Sequence, residues 1–380
     1  MHAALTETIA LPAVAMGTVR QLKVIRYGEP GARPKVYLQA GLHADEAPGF
    51  LVMHHLMQRL DHAQAAGDIT GEIVLVPVAN PIGLAQWHED LLRGRFDFSD
   101  GINFNRQHLD IADAVAERVE GQVGQDAAAN IALIRRAAVD ELAGLAPGGE
   151  AEVLKHRLLS LSVDADIVLD LHCDDQALMH VYMGTSLWPA GSDLSAQLGA
   201  AVTLLADDSG VTPFDEACSR LWFRLAERFA DRPIPPACLS ATVELRGQAD
   251  VDHTLAAGDA ENLFIFLQRR GLIRGTAPAL PALVREATPL EAVAQLKAAC
   301  AGVVAFRKAP GDWVARGEVV AEVIDPLADS GQACGQLLES PTEGVLFARK
   351  CDRFARPGRI LAKVAGTVAL KQKGENLLTL

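Results

Sequence analysis

The sequence has few of the features that mark membrane or nucleic-acid-binding proteins. No unbroken apolar run approaches the roughly 18 residues that a membrane-spanning helix needs, so we expect no contact with a membrane. The net charge of −13 argues against a nucleic-acid partner, because phosphate binding requires clustered lysine and arginine. A small-molecule substrate is favoured instead.

The sequence also lacks a cysteine framework and a clear secretory signal. Its six cysteines form no C-x-x-C pair and no regular spacing, which is typical of reduced thiols and argues against a structural zinc knuckle. The N-terminal stretch MHAALTETIALPAVAMG has no basic lead and contains a proline, so an entry strand is predicted there. These features predict a cytoplasmic protein.

The first two thirds of the chain alternate between β-rich and helical patterns. At 380 residues the chain is long enough for two domains. Strands are predicted at 22–27, 36–40, 73–78, 166–171, 181–184 and 239–243, and helices at 48–60, 126–145, 152–161, 192–205, 216–230 and 260–270. This alternation predicts an α/β fold with a largely parallel or mixed sheet covered by helices on both faces.

From about Thr276 the pattern changes. A proline-rich passage, TAPALPALVREATPL, reads as a linker, and short valine-rich strands follow it. Residues 302–323 and 344–364 echo each other and resemble the halves of biotinyl and lipoyl carrier domains, but the segment 325–340 between them contains no lysine for a cofactor. We therefore predict a catalytic domain over 1–285 and a β-sandwich over 286–380, which serves as a structural module or lid.

Three ionisable residues fall at predicted strand ends. His43 follows the strand 36–40, His172 follows 166–171, and Glu244 follows 239–243. Ligands of open α/β sheets gather outside the carboxyl ends of the strands, so these side chains are expected to lie close together.

His43, Glu46 and His172 together form a candidate metal set. His43 and Glu46 are three residues apart between a strand and a helix, and His172 supplies a third ligand. Two imidazoles and a carboxylate with one open position are typical of catalytic zinc sites. Asp170 is two residues before His172 and either orients a ligand histidine or pairs with a nearby loop. Taken singly, His43 and Glu46 also fit a polar loop, and His172 a structural histidine.

Glu244 has two interpretations. A carboxylate on an apolar strand is costly to bury unless it is paired or functional, and zinc-dependent hydrolysis needs a base near the metal. The alternative is an ion pair with Arg246 or another arginine. Arginines in the polar segments 93–97 and 103–106 could bind a carboxylate or an oxyanion, or could simply be solvated.

Six short motifs resemble the succinylglutamate desuccinylase and aspartoacylase family, which is related to zinc carboxypeptidases. They are GLHADE at 41–46, NPIG at 80–83, GRFD at 94–97, NFNR at 103–106, DLHCD at 170–174 and VELRG at 243–247. The resemblance implies a three-layer α/β/α mixed sheet with a smaller C-terminal all-β sandwich that shapes access to the zinc.

The same resemblance implies roles for individual residues. It gives His43, Glu46 and His172 as the ligands of one zinc ion per chain, and Glu244 as the general base and acid. Arg95 would stabilise the tetrahedral oxyanion, and Asn105 and Arg106 would hold the carboxylate of the substrate. One departure is at position 103, where aspartoacylases carry an acid and this chain has Asn103. We therefore expect the support of a ligand histidine to shift toward Asp170.

These observations predict a zinc-dependent hydrolase that cleaves the amide bond of a small N-acyl amino acid or a related N-acylated amine. The alternatives are a zinc carboxypeptidase acting on short peptides and a non-catalytic metal-binding protein. The sequence leaves open the acyl group, the amine and whether the protein forms a homo-oligomer.

Overall fold

The computed structural model describes residues 4–327, 335–370 and 377–378. The strands before the C-terminal sandwich are β1 (Leu5–Ala10), β2 (Gln21–Tyr27), β3 (Lys35–Ala40), β4 (Glu72–Val76), β5 (Trp87–His88), β6 (Leu91–Leu92), β7 (Ile167–Asp174), β8 (Gln176–Ala177), β9 (His180–Met183), β10 (Val202–Leu205), β11 (Leu239–Gly247) and β12 (Thr288–Pro289). The helices are α1 (Pro48–Ala66), α2 (Ala112–Val119), α3 (Ala127–Gly144), α4 (Glu150–Ser162), α5 (Ser192–Leu198), α6 (Phe214–Arg228) and α7 (His253–Arg269).

A nine-stranded mixed sheet forms the centre of the fold, in the order β1-β2-β4-β3-β7-β11-β9-β10-β12. The inner strands β4, β3, β7 and β11 are parallel, so their carboxyl ends meet at one edge. β1 pairs antiparallel with β2, which confirms the predicted entry strand.

Helices cover both faces of this sheet because its inner strands alternate apolar side chains between two cores. In β3, Val36 and Leu38 pack with α1, α5 and α7, whereas Tyr37 packs with α2, α3, α4 and α6. Apolar residues on both faces of a strand are typical of a sheet buried on both sides. The predicted α/β/α layering is therefore confirmed.

The C-terminal strands form two antiparallel sheets that pack on each other. They are β13 (Val293–Lys297), β14 (Gly302–Phe306), β15 (Trp313–Val314), β16 (Val319–Ile324), β17 (Gly335–Glu339), β18 (Gly344–Arg349), β19 (Phe354–Ala355) and β20 (Ile360–Ala365). The sheet orders are β13-β20-β18-β15 and β17-β16-β14-β19, with a shared apolar core. This confirms the predicted all-β sandwich, although residues 328–334 of the lysine-free segment lie outside the described residues.

The sandwich is joined to the central sheet by strand pairing as well as by apolar packing. β8 pairs with β18, and Val202 and Leu204 of β10 pack with Phe347 of the sandwich. β12 lies at the end of the proline-rich passage, yet it pairs with β10 in the large sheet. The division of the chain at residue 285 stays a prediction.

The predicted helix over 192–205 is wrong in its second half. α5 ends at Leu198 because Gly199 adopts a left-handed conformation, with φ of 66°. The β-branched stretch that follows forms β10, a strand of the central sheet. α2 was not predicted at all. In the part of the chain that the structure describes, no helix is long and apolar enough to span a membrane.

Candidate metal centre

The loop between β3 and α1 turns sharply enough to bring His43 and Glu46 to one point. Gly41 has a φ of 73°, and a Cβ atom there would lie 2.3 Å from the ring of Phe50. Only glycine fits this position without displacing the ring. The loop then enters α1 at Pro48, and both side chains are buried.

His172 reaches the same point from β7, a strand that is buried over almost its whole length. His172 and Asp170 are two residues apart, so they project from the same face of the sheet. The neighbouring strand β11 places Glu244 directly beside His172. Glu244 is thus within β11, which extends to Gly247, and does not follow the end of the strand as predicted.

Glu46 lies between the two histidines. Its Oε1 is 2.9 Å from His43 Nδ1, and its Oε2 is 2.8 Å from His172 Nδ1. The backbone N–H of Cys173 also donates to Oε2. One donor atom from each residue lies within 4.8 Å of the others, so these three residues, hereafter the metal-ligand cluster, could hold a metal ion.

The outer nitrogens of both histidines have their own acceptors. His43 Nε2 donates to Asn103 Oδ1 at 2.8 Å, and His172 Nε2 donates to Asp170 Oδ2 at 2.8 Å. The backbone N–H of Asn105 donates to the same oxygen of Asn103, which fixes that atom as an acceptor. Both Nδ1 atoms are therefore left to face a cation, in the arrangement usual for ligand histidines. Asp170 supports a ligand histidine, as expected, but the support does not shift away from position 103, where the amide oxygen of Asn103 takes the place of the acid.

The electrostatics of the cluster also suit a cation. Burial and Arg95 lower the pKa of His43 to about 4, so this imidazole is neutral. Burial opposes protonation of His172, but Asp170 and Glu46 outweigh it and hold the pKa of this imidazole well above its ordinary value. A nitrogen atom must be deprotonated to bind a metal ion. A bound cation would therefore take the place of the proton on Nδ1 of His172, which faces Glu46.

Replacing Asp170 by Asn should weaken metal affinity roughly 10- to 100-fold, because loss of an outer-shell partner typically costs that much. The introduced amide would retain a hydrogen bond to His172 but not the negative charge. Titration of the metal-free protein with zinc in competition with a chromogenic chelator measures the change. Asp166→Asn, just before β7, is the control and should keep wild-type affinity. Equal affinities in the two variants would contradict the assigned role.

Glu244 is not ion-paired with Arg246, which instead contacts Asp259. Oε2 of Glu244 is buried and has no hydrogen-bond partner among the residues that the structure describes. Burial first, and then the charge of Glu46, raise the pKa of Glu244 to about 8. A carboxyl group of this kind beside a metal-ligand set can accept and return a proton near neutral pH.

Arg95 lies against the metal-ligand cluster, and its Nη2 is 2.5 Å from Glu46 Oε1. The loop that carries Arg95 packs closely against the loop between β3 and α1, because a Cβ atom at Gly94 would lie 2.6 Å from the backbone nitrogen of Asp45. The side chain of Asn105 also has a structural contact, because its Oδ1 accepts a hydrogen bond from the backbone N–H of Phe214. Arg106 is buried beside it and donates to its carbonyl oxygen.

A cavity of about 1090 Å³ contains all of the predicted site residues except Glu46 in its lining. The C-terminal sandwich supplies cations to it that were not predicted. Lys363 pairs with Asp174, two residues after His172, and Lys350 pairs with Asp175. The sequence does contain a signal for Lys363, because the second repeat has this lysine at the position where the first repeat has Glu322.

Glu216 is a second buried acid in this cavity, and it gives a prediction for stability. Burial first, and then Asp215, raise its pKa to about 8. A carboxyl whose folded pKa is raised stabilises the fold at low pH, and that stability is lost as pH rises from about 4.5 through 8. Glu216→Gln stays neutral and should be the more stable protein at pH 9 by several kcal/mol, because each pKa unit between the ordinary and the raised value is worth about 1.4 kcal/mol.

Thermal unfolding of wild type and Glu216→Gln at pH 5, 7 and 9 checks this prediction. The difference in Tm should grow between pH 5 and 9 in favour of the variant. A constant difference over that range would show that Glu216 ionises normally in the folded protein.

Comparison with known proteins finds one family among both the family models and the solved structures. Residues 32–137 match the family model of the succinylglutamate desuccinylase/aspartoacylase catalytic domain. Among solved structures, a succinylglutamate desuccinylase/aspartoacylase family protein from Shewanella amazonensis is 27% identical, with a TM-score of 0.82 over 95% of this chain and 98% of that chain. A protein of the same description from Shewanella frigidimarina is 24% identical, with a TM-score of 0.83 over 96% and 98%.

A more distant structure is the product-bound ectoine utilization protein EutE (DoeB) from Ruegeria pomeroyi, which is 17% identical, with a TM-score of 0.67 over 97% of both chains. At this identity it shows the fold alone. No curated protein matches the sequence.

The fold and the metal-ligand cluster define the chain as an α/β protein with a potential metal centre at the carboxyl ends of parallel strands. Within that class, the predicted resemblance to the succinylglutamate desuccinylase/aspartoacylase family is confirmed by the match of residues 32–137 to the family model and by the Shewanella amazonensis structure. The match supports a hydrolase of the deacylase type.

Proposed function

We propose that the protein is a zinc-dependent hydrolase that cleaves the amide bond of a small N-acyl amino acid or a related N-acylated amine. The observation that carries the proposal is the convergence of His43 Nδ1 and His172 Nδ1 on the Glu46 carboxylate, with Glu244 in register beside His172. Two imidazoles and one carboxylate match the ligand set of catalytic zinc, which leaves a fourth position open.

Zinc at this site would supply Lewis-acid chemistry, activating a water molecule and polarising the scissile carbonyl. Glu244 takes a proton from the water as its oxygen adds to the carbonyl carbon. The same carboxyl returns that proton to the nitrogen as the C–N bond breaks, giving a carboxylic acid and an amine. Its raised pKa suits both transfers, because the most effective general bases and acids have pKa values near the operating pH.

Arg95 and the 103–106 segment would position the substrate. Arg95 can turn from Glu46 to the developing oxyanion, since both lie at the metal-ligand cluster. Asn105 and Arg106 line the cavity and would hold the substrate carboxylate, for which a guanidinium is well suited. We place the enzyme in the cytoplasm, in keeping with the unpaired state of all five cysteines that the structure describes.

Turnover of N-acetyl, N-succinyl and N-formyl amino acids tests the proposal, with blocked dipeptides as a comparison. Protein stripped by a chelator should be inactive, and about one equivalent of zinc per chain should restore hydrolysis of N-acyl amino acids. Faster cleavage of the dipeptides would favour a carboxypeptidase. Purified protein that neither binds zinc nor cleaves any of these amides would refute the proposal.

A further inference from the structure

One face of the central sheet carries a row of side chains that changes from charged to apolar. The strand register aligns Asp170 with Thr242, Thr242 with Tyr182, and Tyr182 with Leu204. Residues paired in register project from the same face of a sheet. At about 4.8 Å per strand, Leu204 is roughly 14 Å across from Asp170, the partner of His172.

The C-terminal part of the chain closes the apolar end of this row. Leu290 and Val293 pack with Leu204 in one apolar cluster, and both line the same cavity as the metal-ligand cluster. Ala206 and Leu378 line it as well, are only partly buried and pack against the same cluster. The cavity is therefore charged beside His172 and Glu244 and apolar beside Leu204.

The size of the cavity points in the same direction. Its volume of about 1090 Å³ is at the upper end of the range for pockets that hold drug-sized ligands, about 300–1,000 Å³. An extended chain gains roughly 1.2 Å per bond, as a polypeptide backbone does. The roughly 14 Å along the row corresponds to about twelve bonds, which the amide and an apolar group of about eight to ten carbons together supply.

We infer that the substrate carries an extended apolar group, which binds between the β9–β10 end of the sheet and the C-terminal sandwich. The inference rests on the proposed function and specifies its substrate class. The same apolar chemistry can come from a long acyl chain or from the side chain of the amino acid. Two series of substrates separate these sources.

The first series is N-acyl glycines with acyl chains of two to ten carbons, and the second is N-acetyl amino acids with straight side chains of one to eight carbons. In one of the two series, kcat/KM should rise about two- to fourfold per methylene, as expected for transfer of a methylene from water into an apolar site. Values that stay flat or fall in both series, while the N-acetyl substrates are cleaved, would overturn the inference and leave the proposed function intact.

A binding measurement keeps the inference testable if no amide is cleaved. Calorimetric titration should show N-octanoylglycine or N-acetyl-2-aminooctanoate binding at least tenfold more tightly than N-acetylglycine. Equal affinities for the three ligands would overturn the inference whatever the enzyme activity.

Variants at Ala206 and Leu378, which line the cavity and pack against the Leu204 cluster, locate the site. Ala206→Trp fills the apolar end and should flatten the rise with chain length, and Leu378→Ala should move the preferred length upward by one to three carbons. Ile324→Trp, on an exposed strand end of the same sandwich, is the matched control and should keep the wild-type slope. Parallel slopes in all four proteins would place the apolar group elsewhere and overturn the inference.

Discussion

Replacing Glu244 by Gln should lower kcat by roughly 10²- to 10⁴-fold, the range that general acid–base catalysis contributes, while zinc stays bound. Gln fills the same space beside His172 but cannot take a proton from water or return it to the leaving nitrogen. Arg246, the nearest candidate for an ion pair along the chain, is engaged with Asp259 instead. The variant should therefore fold and bind metal as the wild type does. Steady-state kinetics with elemental analysis of the same sample measure both properties.

Glu216→Gln is a matched control for this experiment. Glu216 lines the same cavity, and burial raises its pKa to about 8, as it does for Glu244. Glu216 is not in register with a metal ligand, so its replacement should change kcat less than about threefold, within the range of variants away from the chemistry. Near-normal turnover in Glu244→Gln, or equal losses in the two variants, would rule out Glu244 as the proton carrier.

Replacing Glu46 by Ala should remove both metal and activity. Metal affinity should fall by more than the roughly 100-fold that loss of an outer-shell partner costs, and hydrolysis should fall to background. Although burial opposes its ionisation, His43, His172 and Arg95 hold the pKa of Glu46 well below its ordinary value. Removing this buried anion leaves His172 and Arg95 uncompensated, so the free energy of unfolding should fall by about 3–5 kcal/mol.

Asp45, the residue before Glu46, provides the control for the Glu46→Ala variant. It lines the cavity and burial raises its pKa, but it is outside the metal-ligand cluster, and one of its oxygens has no hydrogen-bond partner in the described part of the chain. Asp45→Ala should keep its zinc and most of its stability. Zinc content and denaturant unfolding of the two variants give the comparison. A Glu46→Ala protein that retains a full equivalent of zinc would show that the metal binds elsewhere.

Much of the architecture could be predicted because local patterns and the global fold agree. The apolar residues of β3 and β7 mark strands buried on both faces, and polar residues at or near the carboxyl ends of such parallel strands must gather at one edge. This reasoning brought His43 and His172 together across more than a hundred residues. It failed at 192–205, where a left-handed glycine and a β-branched stretch divide what reads as one helix.

Contacts set by the three-dimensional arrangement could not be predicted. Asn103 can accept the hydrogen bond from His43 only because of where its amide oxygen lies. The backbone N–H of Asn105 donates to that oxygen and fixes its position. The ion pair of Lys363 with Asp174 depends on how the sandwich docks, and neither residue indicates the other along the chain. The interpretation of Glu244 as an ion-pair partner was reasonable locally, but Arg246 has a left-handed backbone and points to Asp259.

Residues 174–176, shortly after His172, all bind side chains of the C-terminal sandwich. Asp174 forms an ion pair with Lys363, and Asp175 forms one with Lys350. Gln176 accepts hydrogen bonds from Arg349 and Arg353. A chimera that joined the first 285 residues to another sandwich would leave two carboxylates without these partners, two and three residues after His172. Successful domain exchange between relatives would therefore require that these cations move together with residues 174–176.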